Sequence, residues 1–125
     1  MLKKLGSVMM IIIGLTSCTN ATGYQKMSMQ EALEKMAKET EYLIVDVRTQ
    51  QEYDQGHIPE AILLPNESID DTIIEKLPAK DQTIYIYCRS GNRSKQAANK
   101  LLKMGYKNVI DIGGINEWPN ELAYD

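Results

Sequence analysis

The chain has 125 residues, with 14 Lys and Arg against 17 Asp and Glu, and a formal net charge of −3 at pH 7. This length is enough for one domain with its own core. The acidic balance, with no basic cluster outside the segment that follows Cys88, gives no support for nucleic-acid binding or for a polybasic membrane-binding surface.

The first residues have the pattern of an export signal. Lys3 and Lys4 form a short positive start, and residues 5–15 make an apolar run with few interruptions. A membrane-spanning helix needs about 20 apolar residues, so this run is too short for one but suits the hydrophobic core of a signal peptide. We therefore expect residues 1–17 to be removed on export.

The stretch "LTSC", residues 15–18, resembles the lipobox of bacterial lipoproteins, in which a cysteine after small residues is lipidated and becomes the new N-terminus. The resemblance implies a lipidated Cys18, a polar tether at residues 18–23 and a domain at residues 24–125, which the lipid holds at the cell envelope. An ordinary signal peptide cleaved nearby and an uncleaved anchor are the alternatives. All three export the protein, to the periplasm or to the outer surface.

The cysteine count narrows the chemistry. If Cys18 is lipidated, Cys88 is the only thiol of the exported protein, so an internal disulfide is impossible. No second cysteine lies two residues from Cys88, which excludes thioredoxin-type dithiol chemistry. Because His57 is the only histidine, we do not expect a metal site rich in cysteine and histidine.

Two capping boxes predict helices in the first half of the domain. Ser28 and Glu31 have the S-x-x-E spacing, and apolar residues follow at helical spacing to about residue 39. Thr49 and Glu52 repeat this arrangement, which predicts a second, shorter helix that a glycine ends. Both predicted helices therefore begin at a side chain that caps the backbone.

Strands and helices alternate along the rest of the domain. Apolar runs predict four strands, at residues 42–47, 61–65, 83–87 and 108–112. Three more helices are predicted, one capped by Ser68 and ended by Pro78, one from about residue 92 to Gly105, and a short one within residues 113–120. This alternation predicts an α/β sandwich around a mostly parallel sheet, in which ligands bind beyond the carboxyl ends of the strands. Cys88 falls at such a point.

The segment from Cys88 to Ser94 is the best candidate for chemistry. A cysteine reacts as its thiolate and needs surroundings that favour negative charge, because a free thiol has a pKa of about 8.5. Backbone N–H groups between the strand and the next helix can point at one anion, and Gly91 gives the freedom in φ that such a turn requires. Arg89 and Arg93 add positive charges suited to an oxyanion. The alternative is a buried, structural cysteine beside solvated arginines.

This segment, "CRSGNRS", resembles the active-site loop of single-domain rhodaneses, the thiosulfate sulfurtransferase family. Three stretches agree with that family in order and spacing, namely "DVRTQQEYDQGHIPEAILLP" (46–65), "YIYCRSGNRS" (85–94) and "GGINEW" (113–118). The similarity covers about residues 24–120. One departure is Glu60, where the family often has glycine after His-Ile-Pro. We expect this difference to affect the loop and not the chemistry.

The resemblance implies a rhodanese-like three-layer α/β sandwich with a five-stranded, mostly parallel sheet flanked by helices. It implies that Cys88 attacks the outer sulfur of thiosulfate or of a persulfide, and carries that sulfur as its own persulfide to a thiophilic acceptor such as cyanide, a thiol or a protein. No cofactor and no metal are implied, and we expect a monomer. The implied substrate-binding residues are Arg89, Ser90, Gly91, Asn92, Arg93 and Ser94.

These substrate-binding residues have different implied roles. The backbone amides from Arg89 to Arg93 would form the anion cradle, and the side chains of these two arginines would attract the sulfonate group. Ser94 would either donate a hydrogen bond to the sulfur or stabilise the start of the helix. Each role is assigned by position within the motif.

Three polar residues elsewhere have structural interpretations. Asp46 and Arg48 end a buried strand at the same edge of the sheet as Cys88, and a structural ion pair beneath the site is favoured over a catalytic role. His57 is expected to anchor a loop by hydrogen bonds, with general-base catalysis as the alternative.

Other functions compete with sulfur transfer. A cysteine-dependent phosphatase or arsenate reductase-like enzyme also uses a thiolate in an amide cradle, but its signature has five residues between cysteine and arginine. Four residues separate Cys88 from Arg93, and the shorter loop fits sulfur better than phosphate. A non-catalytic binding module of this fold usually lacks the cysteine that this chain keeps. A persulfide relay to a dedicated protein partner needs the same loop, so the sequence does not distinguish it.

Overall fold

The computed structural model describes residues 23–70 and 74–124, so the predicted leader and nearly all of the tether lie outside the described residues. Within these ranges the strands are β1 (Gln25–Lys26), β2 (Leu43–Asp46), β3 (Ile62–Leu63), β4 (Thr83–Cys88) and β5 (Asn108–Gly114). The α-helices are α1 (Met29–Met36), α2 (Gln50–Asp54) and α3 (Asn92–Lys103), and 3₁₀ helices occur at Asn66–Ser68 and Ile115–Glu117. No helix in this part of the chain has the length and apolar character needed to cross a membrane.

The five strands form one sheet with the order β1-β5-β4-β2-β3, and every neighbouring pair is parallel. Parallel strands need crossover connections, which place helices on the faces of the sheet. The central strand is β4, so its end at Cys88 lies between β5 and β2. The predicted α/β sandwich with a five-stranded, flanked sheet is confirmed.

Side chains of β4 alternate between two hydrophobic layers. Tyr85 and Tyr87 pack in the layer that α1 covers. Ile84, Ile86 and Cys88 pack in the layer that α3 covers, and all five side chains are almost completely buried. Full burial of a large apolar side chain is worth about 1.5–3 kcal/mol, so the position of this strand is strongly fixed. Cys88 is therefore a buried core residue that stands at the carboxyl end of the central strand.

Both predicted capping boxes are present. The Ser28 hydroxyl accepts from the Glu31 N–H at 3.1 Å, while the Glu31 carboxylate accepts from the Ser28 N–H at 3.0 Å. Thr49 and Glu52 make the same two bonds at the start of α2, at 3.2 and 3.0 Å. The first helix ends at Met36, slightly before the predicted residue 39. Local capping chemistry thus determines where both helices begin.

Two elements differ from the sequence prediction. The helix predicted after Ser68 is wrong for the residues described there, because residues 69–70 and 74–77 are not helical. The Ser68 hydroxyl donates to the Pro65 carbonyl at 2.7 Å and closes a 3₁₀ turn instead of capping a following helix. Strand β1 was not predicted, because it consists of two exposed polar residues that only their pairing with β5 defines.

A tight turn explains the unusual position of Glu60. The Ala61 N–H donates to the Ile58 carbonyl at 3.0 Å, with Pro59 and Glu60 as the two central residues. Glu60 has φ of +73°, the only positive value at a non-glycine residue in the described part of the chain. A type II turn requires positive φ at this position and therefore favours glycine. The departure from glycine noted in the sequence thus creates local strain in the turn.

Replacing Glu60 with Gly is expected to raise the free energy of unfolding by about 0.5–1 kcal/mol, because relief of the left-handed strain exceeds the extra entropy of an unfolded glycine. Glu60→Ala removes the same carboxylate but keeps a Cβ, so it is expected to give no gain. Urea unfolding of the three proteins measures the difference. Equal stability of the Gly and Ala variants would show that the turn is not strained.

Candidate active site

Cys88 is the last residue of β4, and its side chain is 1% exposed. The chain then turns through three residues into α3, and Gly91, which precedes the helix, has φ of +106°. This turn brings the Gly91 N–H to 2.9 Å from the Cys88 sulfur, to which it donates. A backbone N–H this close to the sulfur can stabilise negative charge that develops there during a reaction. One amide of the predicted cradle, that of Gly91, is therefore hydrogen-bonded to the candidate nucleophile.

The other residues of the loop take distinct positions. Ser90 and Arg89 are exposed, and Asn92 is the first residue of α3. Ser94 is fully buried, and its hydroxyl donates to the Gly91 carbonyl at 3.0 Å. Of the two roles considered for Ser94, its contacts in the structure are those of a residue that stabilises the helix start. It thereby helps to hold the turn that presents the Gly91 N–H.

Two glycines at the end of β5 shape the surroundings of this loop in different ways. Gly114 pairs with Cys88 across the sheet, and a Cβ at Gly114 would overlap the Arg89 carbonyl oxygen. The pairing shifts register after Ile86, where Gly113 adopts φ of +90° and donates its N–H to the buried Asp111 carboxylate at 3.0 Å. The "GG" pair in the sequence was the available signal for the close approach at Gly114, and the sequence analysis did not identify it.

Arg93 does not point into open space. Its guanidinium donates to both carboxylate oxygens of Glu52 on α2, at 2.8 and 2.9 Å. This bidentate bond lowers the pKa of Glu52 to about 2, against the opposing effect of partial burial, and raises the pKa of Arg93. The pair joins α2 to the first turn of α3. Sequence reasoning found Glu52 only as a capping residue and missed this contact across 41 residues.

Arg89 occupies a different environment. A cleft of about 270 Å³ opens beyond the ends of β4 and β5, and its walls include Arg89, Arg48, Glu52, Ile115 and Leu122. Arg89 follows Cys88 directly, and Ile115 follows the Gly114 that pairs with Cys88. Among the described residues, Arg89 forms no ion pair. Its exposed guanidinium is therefore the one placed to meet an anion that enters from solvent.

A buried ion pair lies beneath this edge of the sheet. The Arg48 guanidinium donates to Asp46 at 2.7–3.1 Å and also to the Gly56 carbonyl at 2.7 Å. The Tyr87 hydroxyl donates to the same carboxylate at 2.7 Å and accepts from the Ile58 N–H at 3.0 Å. Burial, followed by the charge of Asp46, raises the pKa of Tyr87 above its usual range. These bonds hold the 56–58 segment against the strands that carry the site.

His57 is packed as part of that segment. Its ring stacks on Tyr53 with centroids 3.7 Å apart, and Nδ1 lies 3.0 Å from the Tyr53 carbonyl oxygen. Its backbone exchanges two hydrogen bonds with Ala123 at 2.9 and 2.8 Å. The residue thus has the contacts expected of a loop anchor. No group of three or more His, Cys, Asp or Glu that could hold a metal occurs in the described ranges.

Comparison with protein families gives one clear result. The family described as "Rhodanese-like domain" matches residues 29–121, which is most of the chain. The chain belongs to the rhodanese family. The match spans the strands, the helices and the Cys88 loop described above.

Individual relatives of this rhodanese point to sulfur transfer as the class of reaction. It is 43% identical to a protein named sulfurtransferase from Allochromatium vinosum over 86 residues, which is 68% of this chain and 78% of that protein. It is 36% identical to a protein named thiosulfate sulfurtransferase from Escherichia coli over 73 residues, which is 58% of this chain and 70% of that one. It spans only 20% of the adenylyltransferase and sulfurtransferase of Candida albicans, to which it is 40% identical.

Solved structures agree with this fold. A rhodanese-like domain protein from Staphylococcus aureus has a TM-score of 0.70 at 31% identity, covering 81% of this chain and 98% of that one. A structure described as rhodanese with anions from E. coli has a TM-score of 0.62 at 31% identity, covering 67% and 99%. Family, relatives and fold together support a rhodanese-type sulfurtransferase.

Replacing Asp46 with Ala is expected to lower the free energy of unfolding by about 3–5 kcal/mol, because it leaves the buried Arg48 charge uncompensated. The double variant Asp46→Ala/Arg48→Met removes that charge and is expected to recover part of the loss. Urea unfolding of the wild-type, single and double variants measures both effects. A double variant no more stable than the single one would contradict the assignment of the cost to the unpaired arginine.

Proposed function

We propose that this rhodanese moves the outer sulfur of thiosulfate or of a hydropersulfide through a persulfide on Cys88 to a thiophilic acceptor. The observation that carries the proposal is the Gly91 N–H at 2.9 Å from the Cys88 sulfur. Arg89, which follows Cys88 in the chain, lines a cleft. The names of the relatives from A. vinosum and E. coli support sulfur transfer in general. The donor and the acceptor are part of the proposal.

The first half of the reaction forms the persulfide. The Cys88 thiolate attacks the outer sulfur of thiosulfate, a new S–S bond forms at the attacking sulfur, and the S–S bond of thiosulfate breaks to release sulfite. The electron pair of the broken bond leaves with sulfite, so no outside oxidant or reductant is needed. The amide of Gly91 stabilises negative charge at the sulfur, and Arg89 attracts the incoming anion.

The second half discharges the persulfide. An acceptor nucleophile attacks the outer sulfur, the bond to Cys88 breaks, and the cysteine leaves as its thiolate. Cyanide would give thiocyanate, a small thiol would give a hydropersulfide, and a protein thiol would give a protein persulfide. All three acceptors react with the same Cys88 persulfide, and the leaving group is the Cys88 thiolate in each case.

Incubation with thiosulfate is expected to add one sulfur atom to the protein, because Cys88 keeps the transferred sulfur until an acceptor arrives. Intact mass of residues 19–125 before and after incubation measures this gain, and adding cyanide or a thiol should reverse it. Cys88→Ser is the control, since serine forms no persulfide and differs by one atom. A gain of sulfur that persists in Cys88→Ser would contradict the assigned carrier. No gain with thiosulfate or with a hydropersulfide would contradict sulfur transfer itself, and hydrolysis of p-nitrophenyl phosphate would then support the phosphatase alternative.

We also propose that the domain works at the cell envelope, held by a lipid on Cys18. Support comes from the positive start, the apolar run and the "LTSC" stretch of the sequence. Expression of the whole chain in a bacterial host is expected to place it in the membrane fraction, and Cys18→Ala should release it, because the lipid has no other attachment point. Cys18→Ala protein that stays in the membrane fraction would show that the apolar segment, and not a lipid, is the anchor.

A further inference from the structure

All three arginines of the chain stand at the edge of the sheet that carries Cys88, but two of them are neutralised internally. Arg48 is held by Asp46 in a pair that is nearly fully buried. Arg93 is held by Glu52 in a pair whose side chains are 26% and 24% exposed. Within the described residues, this leaves Arg89 as the arginine that is available to a substrate. The site therefore offers far less positive charge than the sequence alone indicates.

Glu52 is fixed as firmly as Arg93. One of its carboxylate oxygens accepts from the Thr49 N–H at 3.0 Å and from the Thr49 hydroxyl at 3.1 Å, besides accepting from Arg93. Its pKa is lowered to about 2 by the Arg93 bond first, so it carries its negative charge throughout the pH range of enzyme assays. It also forms part of the wall of the cleft. An entering anion therefore meets this carboxylate as well as Arg89.

The net charge of the sulfur donor determines how strongly such a site attracts or repels it. Thiosulfate is a dianion, and it must approach a cysteine that reacts as an anion. One free guanidinium offsets only part of this repulsion, and Glu52 both occupies a second guanidinium and adds a negative charge of its own. A hydropersulfide donor carries at most one negative charge on its sulfur, so it meets much less repulsion.

We infer that Glu52 is a specificity-determining residue, which by holding Arg93 disfavours doubly charged sulfur donors and selects hydropersulfides of low net charge. This inference rests on the proposed sulfur transfer and adds the donor class to it. With a hydropersulfide R–S–SH, Cys88 attacks the terminal sulfur, the donor S–S bond breaks, and R–S⁻ leaves and takes up a proton. The products are the Cys88 persulfide and R–SH, so atoms and electrons balance without a further reactant.

Glu52→Gln tests the inference because glutamine keeps the capping acceptor for Thr49 while losing the charge that holds Arg93. The two donors are thiosulfate and cysteamine hydropersulfide, whose ammonium group cancels the charge of its persulfide anion. Glu52→Gln is expected to lower the apparent KM for thiosulfate by about threefold to tenfold, because Arg93 becomes available to the dianion. The apparent KM for cysteamine hydropersulfide should change much less than that for thiosulfate. The readout is formation of the Cys88 persulfide by intact mass over time.

Two further variants serve as controls. Glu67→Gln removes an exposed carboxylate that also acts on Arg93 through space but does not bond to it, so its effect on the thiosulfate KM should be small. Arg89→Ala removes the available cation and should raise the KM for thiosulfate more than that for the hydropersulfide. An equal thiosulfate effect in Glu67→Gln would mean that net charge, and not the Glu52 pair, sets the selectivity.

The outcomes separate the two proposals. Equal changes for both donors in Glu52→Gln, or no change for either, would overturn the selectivity and leave sulfur transfer standing. Transfer from neither donor by the wild-type protein would overturn sulfur transfer and the selectivity with it. Thermal unfolding of Glu52→Gln shows that the variant is folded, so that a kinetic change reports on charge.

Discussion

The pairing of β4 with β5 at Cys88 and Gly114 is the constraint on which the rest of the site depends. Because Gly114 has no side chain, the Arg89 carbonyl can pass directly over β5, and the chain can fold back after the strand. That reversal is what turns the Gly91 N–H toward the sulfur. A wider loop would carry the same residues but would lose the contact between backbone donor and thiol. The pairing of the strands, more than the polar side chains, thus determines the geometry of the site.

The charges around this strand end serve two different purposes. The Asp46–Arg48 pair is buried, and buried ion pairs contribute little net stability because desolvation offsets most of their attraction. The pair instead helps to position the chain. Arg48 donates to the Gly56 carbonyl and Tyr87 donates to Asp46, and these bonds tie the 56–58 segment to the sheet. The partly exposed Glu52–Arg93 pair instead joins two helix starts, and its Glu52 forms part of the wall of the cleft. The charge of Glu52 therefore affects which molecules can enter the cleft, whereas the buried pair affects only the folded structure.

Local patterns explain why so much of this molecule was predictable. Capping boxes, apolar runs and the strand–loop–helix sequence around Cys88 each depend on residues close together in the chain, and the structure confirms the elements they predict in the sheet and in α1, α2 and α3. The failures are non-local. The bond between Glu52 and Arg93, the overlap that Gly114 avoids and the pairing of β1 all depend on segments far apart in sequence. The helix predicted after Ser68 shows that a local pattern can also mislead. The Ser68 hydroxyl could have capped a following helix, but it donates to the preceding Pro65 carbonyl instead.

Backbone and side-chain donors divide the work of handling anions in this site. A backbone N–H is neutral, so it stabilises charge at contact distance without drawing anions from solvent, whereas a free guanidinium acts over a Debye length of about 8–10 Å. Here the contact to the Cys88 sulfur comes from the backbone, and two of the three guanidinium groups are withdrawn into ion pairs. In the proposed reaction, a site of this kind would stabilise the persulfide anion of Cys88 but would attract free anions weakly. This balance agrees with the proposed hydropersulfide donor and thiol acceptor, because it would limit occupation of the cleft by unreactive anions.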